Sequence, residues 1–125
     1  MADESPLNEK CNTRELRQEE RALIEALLEH SGILTSYVKS LDDARVFDMQ
    51  DGGMGSIGFE PYSSRRYGRT IAEAQYTDID GVLVSITINA DKDGNLYELD
   101  SWKVDFNPLK RYPKPCELEF KKFGS

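Results

Sequence analysis

The 125-residue sequence predicts a single α+β domain: an N-terminal helix packed on one face of an antiparallel, about five-stranded meander sheet. Three observations carry this expectation. Apolar residues recur at helical spacing near the start of the chain, the period changes to two after Ala44, and Asp-Gly pairs punctuate the rest. The domain is assigned to residues 13–113, between a flexible lead at 1–12 and a basic tail at 114–125.

The segment "LRQEERALIEALLEHSG" is the helix. Leu16, Leu23, Leu27, Ile24 and Leu28 form one apolar stripe, Glu19 and Glu20 suit its start, and Gly32 suits its end. A second short helical turn is expected in "ILTSYVKSL". "ARVFDMQ" and "GSIGFE" flank Asp51-Gly52-Gly53 and read as a β-hairpin. After the Pro61 loop, "TIAEAQYT" is the third strand, and Asp80-Gly81 turns the chain into "VLVSITINA", where Val82, Val84, Ile86 and Ile88 share a face. Asp93-Gly94 leads into "LYELDSWKVDF". There the apolar alternation slips between Leu99 and Trp102, which predicts a bulge near Asp100-Ser101. Pro108, Pro113 and Pro115 then argue against another central strand.

Composition removes several functions. No apolar run approaches the roughly 18 residues of a membrane span, and "MADESPLNEK" lacks the plan of a signal peptide, so the expected location is cytoplasmic. Cys11 and Cys116 are expected to be free thiols. His30 is the only histidine, which removes His-based metal and nucleophile chemistry, and its place at the helix end suits the helix dipole. A net charge of −7 argues against nucleic acid and for a basic protein partner. The acids concentrate: Tyr76 to Phe106 holds seven of them against Lys92 and Lys103, while the chain from Asn107 onward is net basic.

Four features are candidate sites. Gly53-Met54-Gly55-Ser56-Ile57-Gly58 matches G-x-G-x-x-G, but a dinucleotide site needs a helix opening within the motif, and Pro61 follows too soon. The glycines are expected to make a tight corner. "DKDGN" (91–95) resembles the opening of a calcium loop, yet Gly94 stands at position four where six is required, and position twelve is Trp102. "DIDG" (78–81) is the same kind of turn, so no metal and no cofactor is expected. Glu98, Asp100 and Asp105 are available for acid–base work without any pocket to support it. The aromatics Tyr97, Trp102, Phe106, Tyr112 and Phe120 cluster late in the chain. Most suit the core, but one exposed among acids would anchor a basic partner.

The stretches "DGGMGSIGF" (51–59), "IAEAQYTDIDGVLVSITINADKDGNLYELDSWKVDF" (71–106) and Pro108-Leu109 resemble a small bacterial family of unknown function. Its pattern pairs an "LxxEExxLIxxLL" helix with this glycine corner and an "ELDxWKVDFxPL" strand. The match spans roughly residues 14 to 113, with Gln18 standing where a proline is expected. The resemblance implies a fold and no activity. In type alone, being compact, acidic and without catalytic motifs, the chain is similar to immunity proteins of bacterial toxin systems.

The leading expectation is a non-enzymatic binding module of the bacterial cytosol that caps a basic toxin or other protein. Its expected partner face is Asp78, Asp80, Asp91, Asp93, Glu98 and Asp100, with Tyr97 or Trp102 as anchor. Two alternatives stay open. One is a small nucleotide- or phosphate-binding enzyme using the Gly53–Gly58 corner with Arg65, Arg66 or Arg69; the other is a structural or accessory subunit that forms a homo-oligomer.

Overall fold

The computed structural model describes residues 13–121. The expected lead at 1–12, Cys11, and residues 122–125 of the expected basic tail lie outside the described residues.

Helix α1 runs Gln18–His30. Glu20 closes its start by accepting the Arg17 backbone N–H at 2.9 Å, and Arg14 pairs with the same buried carboxylate through two bonds of 2.8 and 2.9 Å. The helix ends where Gly32 adopts φ +77°, with Gly32 N–H donating to Glu29 and Ile33 N–H to Leu28. That pair of bonds satisfies the last carbonyls of the helix and turns the chain out. A 3₁₀ turn at Leu34–Ser36 and the short helix α2, Val38–Asp42, follow as the expected helical turn.

Among the described residues six strands form one antiparallel sheet: β1 Val46–Asp48, β2 Ile57–Phe59, β3 Tyr67–Thr77, β4 Leu83–Asp91, β5 Leu96–Lys103 and β6 Glu119–Lys121. Their order is β1-β2-β5-β4-β3-β6. The architecture is α+β as expected, with one strand more. β3, β4 and β5 make a meander, and β2 reaches across to pair with β5. The sixth strand comes from the expected basic tail: Glu119–Lys121 pairs with Glu73–Gln75 at the sheet edge, beyond the prolines that keep this segment out of the interior.

One face of the sheet meets α1. Leu23, Ile24, Leu27 and Leu28 are buried against Ala72, Ala74, Ile86, Ile88 and Leu99, and this is the main core. Each leucine or isoleucine among them contributes about 1.5–3 kcal/mol by leaving water. The other face has no helix on it among the described residues.

The expected bulge at Asp100-Ser101 is not there. The register shift between β4 and β5 falls between Asn89 and Ala90, opposite Tyr97, and pairing is regular from Glu98 to Lys103. The apparent slip in apolar alternation has a different cause: Leu99, Ser101 and Lys103 point to the buried side, while Asp100 and Trp102 point out. A lysine inside and a tryptophan outside imitate a broken period.

Candidate functional site

The open face of the sheet is built on β5. Period-two geometry sends Glu98, Asp100 and Trp102 to this side. The bulge adds Tyr97, which stacks on Tyr62 with ring centroids 4.5 Å apart, and Tyr62 meets Phe47 edge-on at 5.2 Å. Gly58 lies beneath these rings: a Cβ there would stand 2.6 Å from the Phe47 ring. The Tyr62 hydroxyl donates to Glu98 Oε2 at 2.7 Å and Asn89 Nδ2 donates to Glu98 Oε1 at 2.9 Å, so Glu98 is held by neutral groups. Burial and that carboxylate push the Tyr62 phenol well above its ordinary value.

Asp100 is exposed and accepts the Ser56 hydroxyl at 3.2 Å. Packing around it raises its pKa above 3.8 against the Ser56 bond, and the charges of Glu98 and Asp51 raise it further. Among the described residues none of Asp51, Glu98 and Asp100 forms an ion pair. Beside them Trp102 is 49% exposed and packs edge-on against Phe106, 63% exposed, at 5.0 Å.

The other acids of the expected partner face are spent within the fold. Lys103 is 0% exposed and donates from Nζ to Asp78 Oδ2 at 2.9 Å, to Asp80 Oδ2 at 2.7 Å and to the Pro108 carbonyl at 3.2 Å. Asp78, itself buried, also accepts the N–H groups of Ile79 and Lys110, both at 2.7 Å. Burial alone would raise its pKa; the Lys110 N–H, the Lys103 ammonium and the Ile79 N–H outweigh it and hold the carboxyl below its ordinary value. Burial likewise works against the Lys103 ammonium, and Asp80 and Asp78 reverse it, so its pKa lies above 10.5.

Asp91 repeats the arrangement at the opposite end of the sheet. Its carboxylate accepts the Asp93 and Asn95 N–H groups, both at 2.9 Å, and pairs with Arg65 at 2.9 Å. Arg65 Nη1 and Nη2 also donate to the carbonyls of Leu96 and Phe59, and its Nε to that of Pro61. Asp93 is exposed at the turn itself. Of the eight expected residues, then, Glu98, Asp100 and Trp102 share the open face with Tyr97 inside its aromatic stack. Asp78, Asp80 and Asp91 tie turns to the body, and Asp93 stands apart.

The glycine corner is filled by the protein's own chain. Gly52, Gly53 and Gly55 all have positive φ, and the N–H groups of Met54 and Ser56 both point to the Asp51 carboxylate, at 3.1 and 2.9 Å. An internal anion therefore occupies the donors a phosphate would need. A Cβ at Gly53 would stand 3.1 Å from Pro108, and one at Gly55 3.2 Å from Leu109. Pro108-Leu109 packs where a ligand would approach. Arg65 is committed near the far end of β2.

Sequence reasoning passed over Asp51, Ser56, Tyr62 and above all Lys103. The alternation of β5 carried the signal for the last: counting by twos from Leu99 puts Lys103 on the buried side. Among the described residues no group of three or more His, Cys, Asp or Glu is placed to hold a metal ion, and no helix is long and apolar enough to cross a membrane. Cys116 is a free, exposed thiol, and His30 stacks on Phe120 at 4.4 Å.

The model of a family of domains of unknown function, DUF6984, matches residues 13–113, and the chain belongs to that family. No curated protein and no solved structure matches the chain. The matched span contains α1, the glycine corner, β1 to β5 and the Pro108-Leu109 segment that packs on the corner, and it stops short of β6.

Proposed function

We propose that this chain is a non-enzymatic protein-binding module of the cytosol, of the immunity or antitoxin type, that captures a basic toxin or other basic protein on the open face of its sheet. One observation carries the reading. Asp51, Glu98 and Asp100 lie together on a face no helix covers, beside an exposed tryptophan, and no cation pairs with any of them among the described residues. Carboxylates crowded in this way gain from a partner's Lys or Arg, which would relieve their mutual repulsion and speed encounter. Trp102 supplies the apolar contact that charge alone lacks. The phosphate reading is weakened by the Asp51 carboxylate and Pro108-Leu109 filling the corner.

The test is capture from host lysate by the tagged chain at about 0.15 M and 0.5 M salt, where the screening length falls from about 8 Å to a few ångströms. The Asp100→Asn/Trp102→Ala variant is run beside it. The expected result is one dominant basic protein, held less well at high salt and lost in the variant. No basic protein at either salt, or equal capture by the variant, sinks the reading.

A further inference from the structure

The turn after β5 presents an exposed aromatic on a backbone that resists it. Phe106 has φ +66°, the one non-glycine residue with positive φ among the described residues, in a conformation that glycine or asparagine adopts far more readily. Its ring, 63% exposed, meets Trp102 in a T-shaped contact, and Val104 nearby is 49% exposed. Neither packing nor solvation accounts for a phenylalanine here, and unfavourable backbone held in place by its surroundings is a mark of function.

Those surroundings are rigid at both ends. Phe106 N–H donates to the Lys103 carbonyl at 2.9 Å, and Asn107 N–H to Asp105 Oδ1 at 3.0 Å. Lys103 Nζ reaches forward over the turn to the Pro108 carbonyl, closing it from within the core. Leu109 N–H is held by the Gly53 carbonyl at 3.1 Å, and Lys110 N–H by Asp78. Buried Lys103 and Asp78, with the more exposed Asp80, thus form the base of the turn.

We propose that Val104–Asn107 is a preformed finger whose Phe106, with Trp102, enters an apolar pocket on the partner, and that Lys and Arg residues rim that pocket. This rests on the binding reading above and names the anchor within it. A backbone already held in one conformation has less freedom to lose on docking, so more of the ring's burial counts toward affinity. The chemistry of the pocket's rim follows from charge. Asp105 flanks Phe106, Asp100 lies on the same face as Trp102, and Lys103, the nearest cation in sequence, is buried and fully committed. A second copy of this chain is a poor occupant, because its own finger carries the same acidic rim and each chain has a net charge of −7.

The experiment compares Phe106→Gly, Phe106→Tyr and the unaltered chain for melting temperature, sedimentation, and affinity for the purified partner from the capture above. Phe106→Gly removes the ring and relieves the backbone. Its melting temperature is expected within about 5 °C of the unaltered chain, while its affinity falls at least about tenfold, as for an interface anchor. Phe106→Tyr is expected to keep most of the affinity. Equal binding by Phe106→Gly would overturn the finger and leave the acidic-face reading standing. A fall in melting temperature well beyond that range would make Phe106 a packing residue and overturn the finger too. Self-association of the unaltered chain that Phe106→Gly abolishes would assign the finger to a second copy and overturn the basic partner. Capture of no basic protein at either salt would remove both proposals.

Discussion

Asp78, in the turn after β3, and Asp100, midway along β5, are acids of the same sheet, 2.9 Å from a buried ammonium in the first case and 3.2 Å from a serine hydroxyl in the second. The fold surrounds Asp78 with a lysine and two backbone N–H groups, and it surrounds Asp100 with two further carboxylates. Asp91 and Arg65 follow the first pattern, and Glu98, held by the neutral Tyr62 and Asn89, belongs with the second. Asp51 stands between the two patterns, unpaired with any cation among the described residues but holding the glycine corner through the Met54 and Ser56 N–H groups. The difference separates acids that hold turns in place from acids left to meet something else. A cluster of negative charge in sequence is thus two populations in space, one tied to cations within the fold and one facing out.

The contrast breaks most severely at Lys103. Lys103→Met removes the cation from a buried carboxylate, and denaturant unfolding is expected to show a loss of about 3–5 kcal/mol. A loss under about 1 kcal/mol would mean that Asp78 finds water or another donor, and that the two populations differ less than the geometry shows.

Acid titration tests the same contrast without mutation. The folded pKa values of Asp78 and Asp91 lie below 3.8, so the stability they contribute is present above that value and is lost as pH falls through the folded values. Lys103 is raised, so its contribution is present below 10.5 and is lost as pH rises through its folded value. Asp100 has the opposite sign to Asp78: its pKa is raised, so its ionisation costs stability as pH climbs past the ordinary carboxylate value. Urea midpoints at pH 3, 5 and 7 are expected to fall steeply at the acid end; a flat profile would contradict the pairing.

Gly58→Ala sharpens the contrast from the open face, because the new Cβ meets the Phe47 ring that supports the Tyr62–Tyr97 stack. Overpacking of this kind costs about 1–3 kcal/mol. The near-ultraviolet dichroism of the tyrosines is expected to change with it, and an unchanged spectrum and stability would show that the stack is not held from below.

Asp100→Asn is the smallest effect. With no cation to lose, the variant is expected within about 0.5 kcal/mol of the unaltered protein, and on the stabilising side. A clear loss of stability on removing this charge would place Asp100 with the structural acids and take it off the proposed binding face.

Much of this fold was legible because its signals are local. The stripe from Leu23 to Leu28, the Gly32 stop, the Asp-Gly turns and the period-two runs of β3 and β4 each act within a few residues, and each stands where expected. The sixth strand was hidden because three residues at a sheet edge carry almost no pattern of their own. The candidate site was legible in part: the β5 acids and Trp102 were in view, while the division among the acids was not. Whether a carboxylate is spent depends on a cation that the fold brings from 25 residues away in Asp78 and 26 in Asp91.

By itself the sequence determined the class of fold, the positions of most elements and the chain's acidic character, because periodicity, turn chemistry and composition are properties of neighbours along the chain. Only the tertiary structure decided that Lys103 lies inside, that Phe106 stands out on a strained turn, and that Asp51, Glu98 and Asp100 gather without a cation among the described residues. The physical reason is that the cost of burying or exposing a group is set by what surrounds it in space, and strand order and register supply those surroundings.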